Sequence, residues 1–204
     1  MRGVTRVKYA LLGRPRRERL LLPTLPRGAV AAELGVFRGE FTDQILRVTQ
    51  PRELHLFDGW WEMWGEAFTG WAEGVGTRDA YEEVRAVVSR QSAEDICTFH
   101  VGDDVILLEA VPDAYFDWVY LDSSHQFEHT LTELEILDRK VKATGLIAGD
   151  DWREDPAHRH HGVCRAVRDF CSRTDWELYH TDEAAQWCIA KVVGTSTFIR
   201  DRRP

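Results

Sequence analysis

The chain has 204 residues, 44% of them hydrophobic and 29% charged, which suits one globular domain with a full core and excludes a disordered chain. Its net charge of −8 argues against broad nucleic-acid binding, which needs a basic face to displace counterions. No run approaches the roughly 20 apolar residues of a membrane span, and Cys97, Cys164, Cys171 and Cys188 form no Cys-x-x-Cys pair, as expected of a cytoplasmic protein with reduced thiols.

Residues 1–26 form a basic segment carrying Arg2, Arg6, Lys8, Arg14, Arg16, Arg17 and Arg19. It is expected to be helical from about 5 to 22, ending at Pro23. Its apolar run at 9–12 is too short for a signal-peptide core. From there strand-like and helix-like segments alternate, the pattern of an α/β domain with a parallel sheet. The expected order is strand 29–35, helix 41–48, strand 53–58, helix 79–90, strand 96–101, helix 106–110 and strand 115–121. Helix 127–141 follows, with Leu131, Leu134, Leu137 and Val141 on one stripe, then strand 146–148 and helix 163–171. Strands 176–179 and 187–192 are joined tightly enough to be antiparallel. Residues 27–193 read as a single domain and 194–204 as a tail.

Two apolar runs break off into acid, Trp118-Val-Tyr-Leu-Asp122-Ser-Ser-His125 and Leu146-Ile-Ala-Gly-Asp150-Asp151. A helix of ordinary crossover length separates them, so their ends should lie side by side at the sheet edge where such folds bind ligands. Three carboxylates at one rim repel unless they are protonated, hydrogen-bonded or bound to a cation. An oxygen-only set suits a hard cation, with magnesium the default and calcium or manganese alternatives, held by Asp122, Asp150 and Asp151.

Earlier strand exits carry a different pattern. Glu33-Leu-Gly35-Val-Phe37-Arg-Gly39 lies between strand and helix, where glycines permit a tight turn and close approach of a ligand. It lacks both the dinucleotide Gly-x-Gly-x-x-Gly and the Lys-Ser/Thr of a phosphate loop. Asp58 closes the next strand about twenty residues on, where a carboxylate can take both hydroxyls of a ribose. Gly59 and Trp60 follow it, Gly59 as the alternative turn partner of Asp58 and Trp60 as a ring to pack on an adenosine. Gly102-Asp103-Asp104 closes the third strand. There Asp103 can accept from an adenine amino group and the Asp104 backbone N–H can donate to the ring, while either acid can also cap the next helix.

This ordered set resembles the class I S-adenosylmethionine-dependent methyltransferases, over roughly residues 27–193. It is most similar to the macrocin O-methyltransferase and cephalosporin-hydroxylase-like group, whose strands end in comparable Tyr-Leu-Asp and Gly-Asp-Asp runs. The resemblance implies a Rossmann-like seven-stranded sheet ordered 3-2-1-4-5-7-6 with strand 7 antiparallel. It places Glu33, Gly35 and Gly39 around the methionine part of the cofactor, Asp58 on ribose and Asp103 on adenine. The metal-dependent branches of the family hold their ion at strand ends matching Asp122, Asp150 and Asp151.

Methyl transfer to oxygen needs a hydroxyl that is at least partly deprotonated. His125, three residues after Asp122, is the candidate base, with an unperturbed pKa near 6.5, and Asp122 shares the catalytic position. The macrocin-like enzymes place a second acid two residues after the first, where this chain has Ser124, which shifts the base role toward His125. Capping of the next helix, or binding its backbone, and metal ligation are its alternative roles. His158, His160 and His161 either line the pocket, one as an alternative base, or form a solvated loop. His55 and His100 read as packed sheet residues. Trp60, Trp61, Trp64 and Trp71 hold half of the eight tryptophans and read equally as a binding wall or as a satellite core.

The expected function is magnesium-assisted methylation of a hydroxyl on a small molecule, a sugar or natural product, with no nucleic-acid or integral-membrane partner and a homo-oligomer compatible with the sequence. A metal-independent methyltransferase, a metal-dependent hydrolase and a non-catalytic cofactor-binding subunit stay open.

Overall fold

In the computed structural model, which describes residues 17, 19–66, 68–69 and 74–192, seven strands build one sheet in the order β3-β2-β1-β4-β5-β7-β6. The strands are β1 (Val30–Leu34), β2 (Glu53–Asp58), β3 (Cys97–Val101), β4 (Phe116–Leu121), β5 (Val141–Gly149), β6 (Trp176–Thr181) and β7 (Trp187–Lys191). The first five run parallel, and β7 is antiparallel to both β5 and β6. This is the order that the resemblance implied.

All five residues of β1 are buried, as a central strand covered on both faces requires. Val30, Ala32 and Leu34 point to one core and Ala31 to the other, the two-residue period of a strand. On the first face lie α4 (Asp104–Glu109), α5 (Phe127–Lys140) and α6 (His161–Arg173), burying Leu108, Leu134, Leu137, Val163, Val167 and Phe170. The second face carries α1 (Glu40–Thr49), α2 (Trp60–Trp64) and α3 (Thr77–Arg90), burying Phe41, Ile45, Trp60, Val84 and Val88.

Two elements differ from expectation. β5 begins at Val141, directly after α5, because Val141 pairs with Phe116 before an irregularity in the ladder. The tryptophan-rich segment, which lacks sequence periodicity, forms one short helix at Trp60–Trp64. The expected N-terminal helix, the tail after 193 and Trp71 lie mostly or wholly outside the described residues. Of the first, Arg17, Arg19 and Leu20 have helical backbone, and a 3-10 turn at Leu22–Thr24 follows with Pro23 in its first positions. Leu21 and Leu22 are fully buried in the second core, which anchors this stretch of chain. All four cysteines are free thiols. Among the described residues no helix is long and apolar enough to cross a membrane.

Candidate functional site

The exits of the parallel strands touch one another, and this decides which residues can stand there. Asp122 N donates to Leu34 O at 2.7 Å, Asp150 N to Leu121 O at 3.0 Å and Gly102 N to Asp58 O at 3.0 Å. Gly35 has φ +83°, and a Cβ on it would sit 2.1 Å from the Asp122 carbonyl oxygen. A Cβ on Gly149 would lie 2.6 Å from Leu121 O and equally close to the Trp187 ring. Both glycines are therefore demanded by the meeting of strand ends, before any ligand is considered.

On the β1–β3 side the acids are held by backbone. Phe37 and Gly39 also take left-handed conformations, at φ 59° and 77°. The loop thereby turns the N–H groups of Val36 and Phe37 onto one oxygen of Asp58, at 2.9 and 2.8 Å. The other oxygen accepts from Trp60 N at 3.1 Å. A cup of successive backbone N–H groups favours an anion, and here Asp58 itself is the anion. Burial pushes the Asp58 carboxyl up to about 6, although these amides favour its charged form. Glu33 is buried on the same side and accepts from the Thr42 hydroxyl at 2.6 Å; burial pushes its carboxyl up to about 8. Asp103 caps α4, accepting from Ile106 N at 3.2 Å. The Asp104 carboxylate accepts from its neighbour Val105 N at 2.8 Å.

Trp60 corrects an expectation. Its side chain is wholly buried, edge-on to Tyr81, with the indole N–H donating to Phe37 O at 3.1 Å. It supports the glycine loop from beneath and leaves no face for an adenosine. Gly59 is pressed on by Met63, whose sulfur lies 2.6 Å from where a Cβ would stand. Trp61 packs on Tyr81 and under the Arg78 guanidinium, whereas Trp64 is exposed and stacks on Phe68. The segment thus divides into a satellite core and an exposed aromatic pair.

On the β4–β5 side the acids are held by side chains, a guanidinium and two imidazoles. Oxygens of Asp122, Asp150 and Asp151 lie within 4.8 Å of one another. Arg17 donates from Nη2 to Asp122 Oδ2 at 2.8 Å and pairs through the same nitrogen with Asp150. Its guanidinium carbon stands 4.8 Å above the Phe41 ring. Asp151, in a left-handed conformation at φ 59°, sends one oxygen to within 2.7 Å of both His125 Nε2 and His160 Nδ1. The two imidazoles stack, with centroids 4.0 Å apart. Gly162 permits this, since a Cβ there would lie 2.6 Å from His125 O. Burial disfavours charge on His125, but the adjacent Asp122 and Asp151 carboxylates outweigh it and carry its pKa up to about 9. Burial also disfavours charge on Asp151, and the two histidines more than compensate, holding its carboxyl below the ordinary range.

Asp150 Oδ1 is buried and has no hydrogen-bond partner among the described residues. The oxygen donor set and this unpartnered atom fit a site for a hard cation.

Sequence reading missed Arg17, which is 105 residues from Asp122 and one of seven basic residues near the N-terminus. Residue type offered no way to single it out. It also missed a network joining the two sides. His129 Nε2 lies 3.0 Å from Asp104 Oδ1 and 3.6 Å from the fully buried Glu133, which also accepts from the Ser123 hydroxyl. The spacing of His129 and Glu133, one helical turn on α5, was a readable signal. His55 and His100 are packed ring against ring on β2 and β3, as expected. His161 reaches Arg153 O at 2.8 Å, and His158 stands edge-on to His160.

A family model described as a methyltransferase domain matches residues 32–152. No curated protein matches the chain. The O-methyltransferase from Bacillus cereus in complex with SAH is similar in structure, with TM-score 0.60 and 14% identity over 87% of this chain and 80% of that one. So is the O-methyltransferase TomG from Streptomyces achromogenes, involved in tomaymycin synthesis and in complex with SAM, at TM-score 0.57 and 18% identity over 89% and 80%. The precorrin 8w decarboxylase of Methanobacterium thermoautotrophicum scores 0.58 at 15% identity over 88% and 90%. At such identities the likeness fixes the fold alone, and one fold carries more than one chemistry.

Proposed function

The chain belongs to the class I S-adenosylmethionine-dependent methyltransferases, and on that premise we propose that it methylates a hydroxyl of a small molecule with the help of a divalent cation. The observation that carries this reading is the meeting of Asp122, Asp150, Asp151 and His125 at one rim, with Asp150 Oδ1 left without a partner. The B. cereus and S. achromogenes neighbours, both O-methyltransferases, support oxygen as the acceptor atom.

In this reading Glu33, Gly35, Phe37, Gly39, Asp58, Gly59, Gly102, Asp103 and Asp104 border the cofactor, which supplies an electrophilic methyl group. Glu33 and Asp58 take part as buried carboxyls. The cationic amino group of a bound cofactor would draw Glu33 toward its charged form. Asp58 keeps a free lone pair on the oxygen that bonds only Trp60 N, and this can accept from a ribose hydroxyl. Asp122, Asp150 and Asp151 would hold the cation, which when bound lowers the pKa of an acceptor hydroxyl. His125 would receive the hydroxyl proton at Nε2 only once the cation has drawn Asp151 off that nitrogen, because an Nε2 that donates to the Asp151 carboxylate has no lone pair to offer. An imidazolium cannot accept a proton, so this role requires a cation to take up the negative charge beside His125. His160 stacks on the base and fixes its plane. Positioning of acceptor oxygen, methyl carbon and sulfur in line does much of the remaining work.

The test is methyl transfer from labelled S-adenosylmethionine to a panel of phenols and glycosides, after chelation and after magnesium is restored. Turnover should vanish with chelator and return with magnesium. Undiminished turnover in excess chelator overturns the cation, and failure to bind S-adenosylmethionine overturns the whole reading. One observation favours a second reading, metal-independent transfer: Arg17 already places a positive charge on Asp122 and Asp150.

A further inference from the structure

Arg17 comes from a stretch whose hold on the domain lies one helical turn away, at the fully buried Leu21 and Leu22. Residues four apart share a helix face, so seating Leu21 in the second core aims Arg17 at the strand exits. Its guanidinium lies against Phe41 and Tyr120, with its carbon 4.8 and 6.0 Å from the ring centroids, and bonds Oδ2 of both Asp122 and Asp150. Two aromatic faces and two carboxylates make a fitted seat for a planar cation. The arrangement differs from a surface ion pair, because the Arg17, Asp122 and Asp150 side chains are each about one-fifth exposed.

A divalent ion needs these same oxygens. A guanidinium and a dication held a few ångströms apart in a site of lowered dielectric repel strongly, so both cannot occupy the same two carboxylates. Asp151, by contrast, is engaged by His125 and His160, and it acts on Arg17 through its charge, with no hydrogen bond or salt bridge between the two among the described residues. The two cations therefore compete most directly for Asp122 and Asp150, whose oxygens Arg17 bonds.

We propose that Arg17 is a resident competitor of the divalent cation, so that the ion enters only as the guanidinium leaves Asp122 and Asp150. This rests on the cation reading above. It makes the affinity of the acid cluster a property of the N-terminal stretch as well as of the strand ends. It also couples ion binding to the chain just before Leu21, which loses its polar tether when the ion arrives.

The experiment is Mn2+ binding by the full chain, followed by electron paramagnetic resonance and calorimetry, for the wild type, Arg17→Gln and Arg17→Gln with Asp150→Asn. Removing the competitor should tighten Mn2+ binding tenfold or more, and the second substitution should cancel that gain. Equal affinity in the wild type and Arg17→Gln overturns the competition while leaving the cation reading intact. No Mn2+ binding by any of the three proteins overturns the cation reading, and the competition with it. Trypsin cleavage after Arg17 in the wild type gives a readout that needs no variant. Saturating Mn2+ should speed that cleavage, and an unchanged rate overturns the proposal.

Discussion

The two halves of the strand-end rim hold their acids in opposite ways. Asp58 and Asp103, at the ends of β2 and β3, are bound by backbone N–H groups, from the β1 loop and Trp60 for the first and from the next helix for the second. Asp122, Asp150 and Asp151, at the ends of β4 and β5, are bound by side chains instead, the Arg17 guanidinium on the first two and the His125 and His160 rings on the third. An acid held by amides is part of the fold, because its charge shapes the loop that surrounds it. An acid held by side chains can exchange one cation for another without unfolding anything. The first half is built to present a fixed surface, and the second to accommodate a change of charge.

Removing charge from each half should therefore break different properties. Asp122→Asn keeps the shape and deletes one carboxylate from the repelling cluster. It should lower kcat/KM by about 10²–10³-fold, in the range of a lost acid/base or electrostatic contribution. Its melting temperature should stay within about 4 °C of the wild type, since the change costs under about 1 kcal/mol of folding. Asp58→Ala should do the reverse in thermal melts. Three N–H groups lose a buried acceptor, at a cost of about 3 kcal/mol. That corresponds to about 6–12 °C in a chain of this size. A melting loss for Asp122→Asn as large as that for Asp58→Ala would erase the contrast.

The same contrast explains what was legible in the sequence. The alternation of strands and helices follows from periodicity, and the convergence of Asp122, Asp150 and His125 from the rule that parallel strands end together, whereas the strand order was implied only by the family resemblance. Gly35 could be singled out by type, yet its reason lay elsewhere, in the 2.1 Å approach of a would-be Cβ to Asp122 O. Trp60 misled because an aromatic residue beside a candidate ribose acid reads the same whether it faces the ligand or lies beneath the loop. Only the direction of its side chain separates the two, and residue type does not carry direction. Arg17 was beyond reach for a similar reason. A contact across 105 residues leaves no local pattern, and six other basic residues shared its neighbourhood.

One network crosses the boundary and makes a smaller test. His129 on α5 faces Asp104 from the amide-held half and Glu133, whose Oε1 takes the Ser123 hydroxyl beside Asp122. The carboxylates of Asp104 and Glu133, working against a smaller burial penalty, raise His129 to about 10. Burial dominates at Glu133 instead, pushing its carboxyl up to about 7 in spite of His129. The histidine thus gains its charge more fully than the buried acid does. A group whose pKa rises on folding stabilises the fold in its protonated form. The contribution of His129 is therefore complete below its ordinary value of 6.5 and lost as pH climbs through about 10. Replacing it with asparagine should cost about 1–2 kcal/mol at pH 6, discounted for a ring that is partly open to solvent. The deficit should shrink steadily as pH rises and be nearly gone at pH 10. Urea melts of the two proteins from pH 6 to pH 10 measure it. A deficit that is flat across that range would mean that His129 serves as packing alone, and that the two halves of the rim are not electrically joined through α5.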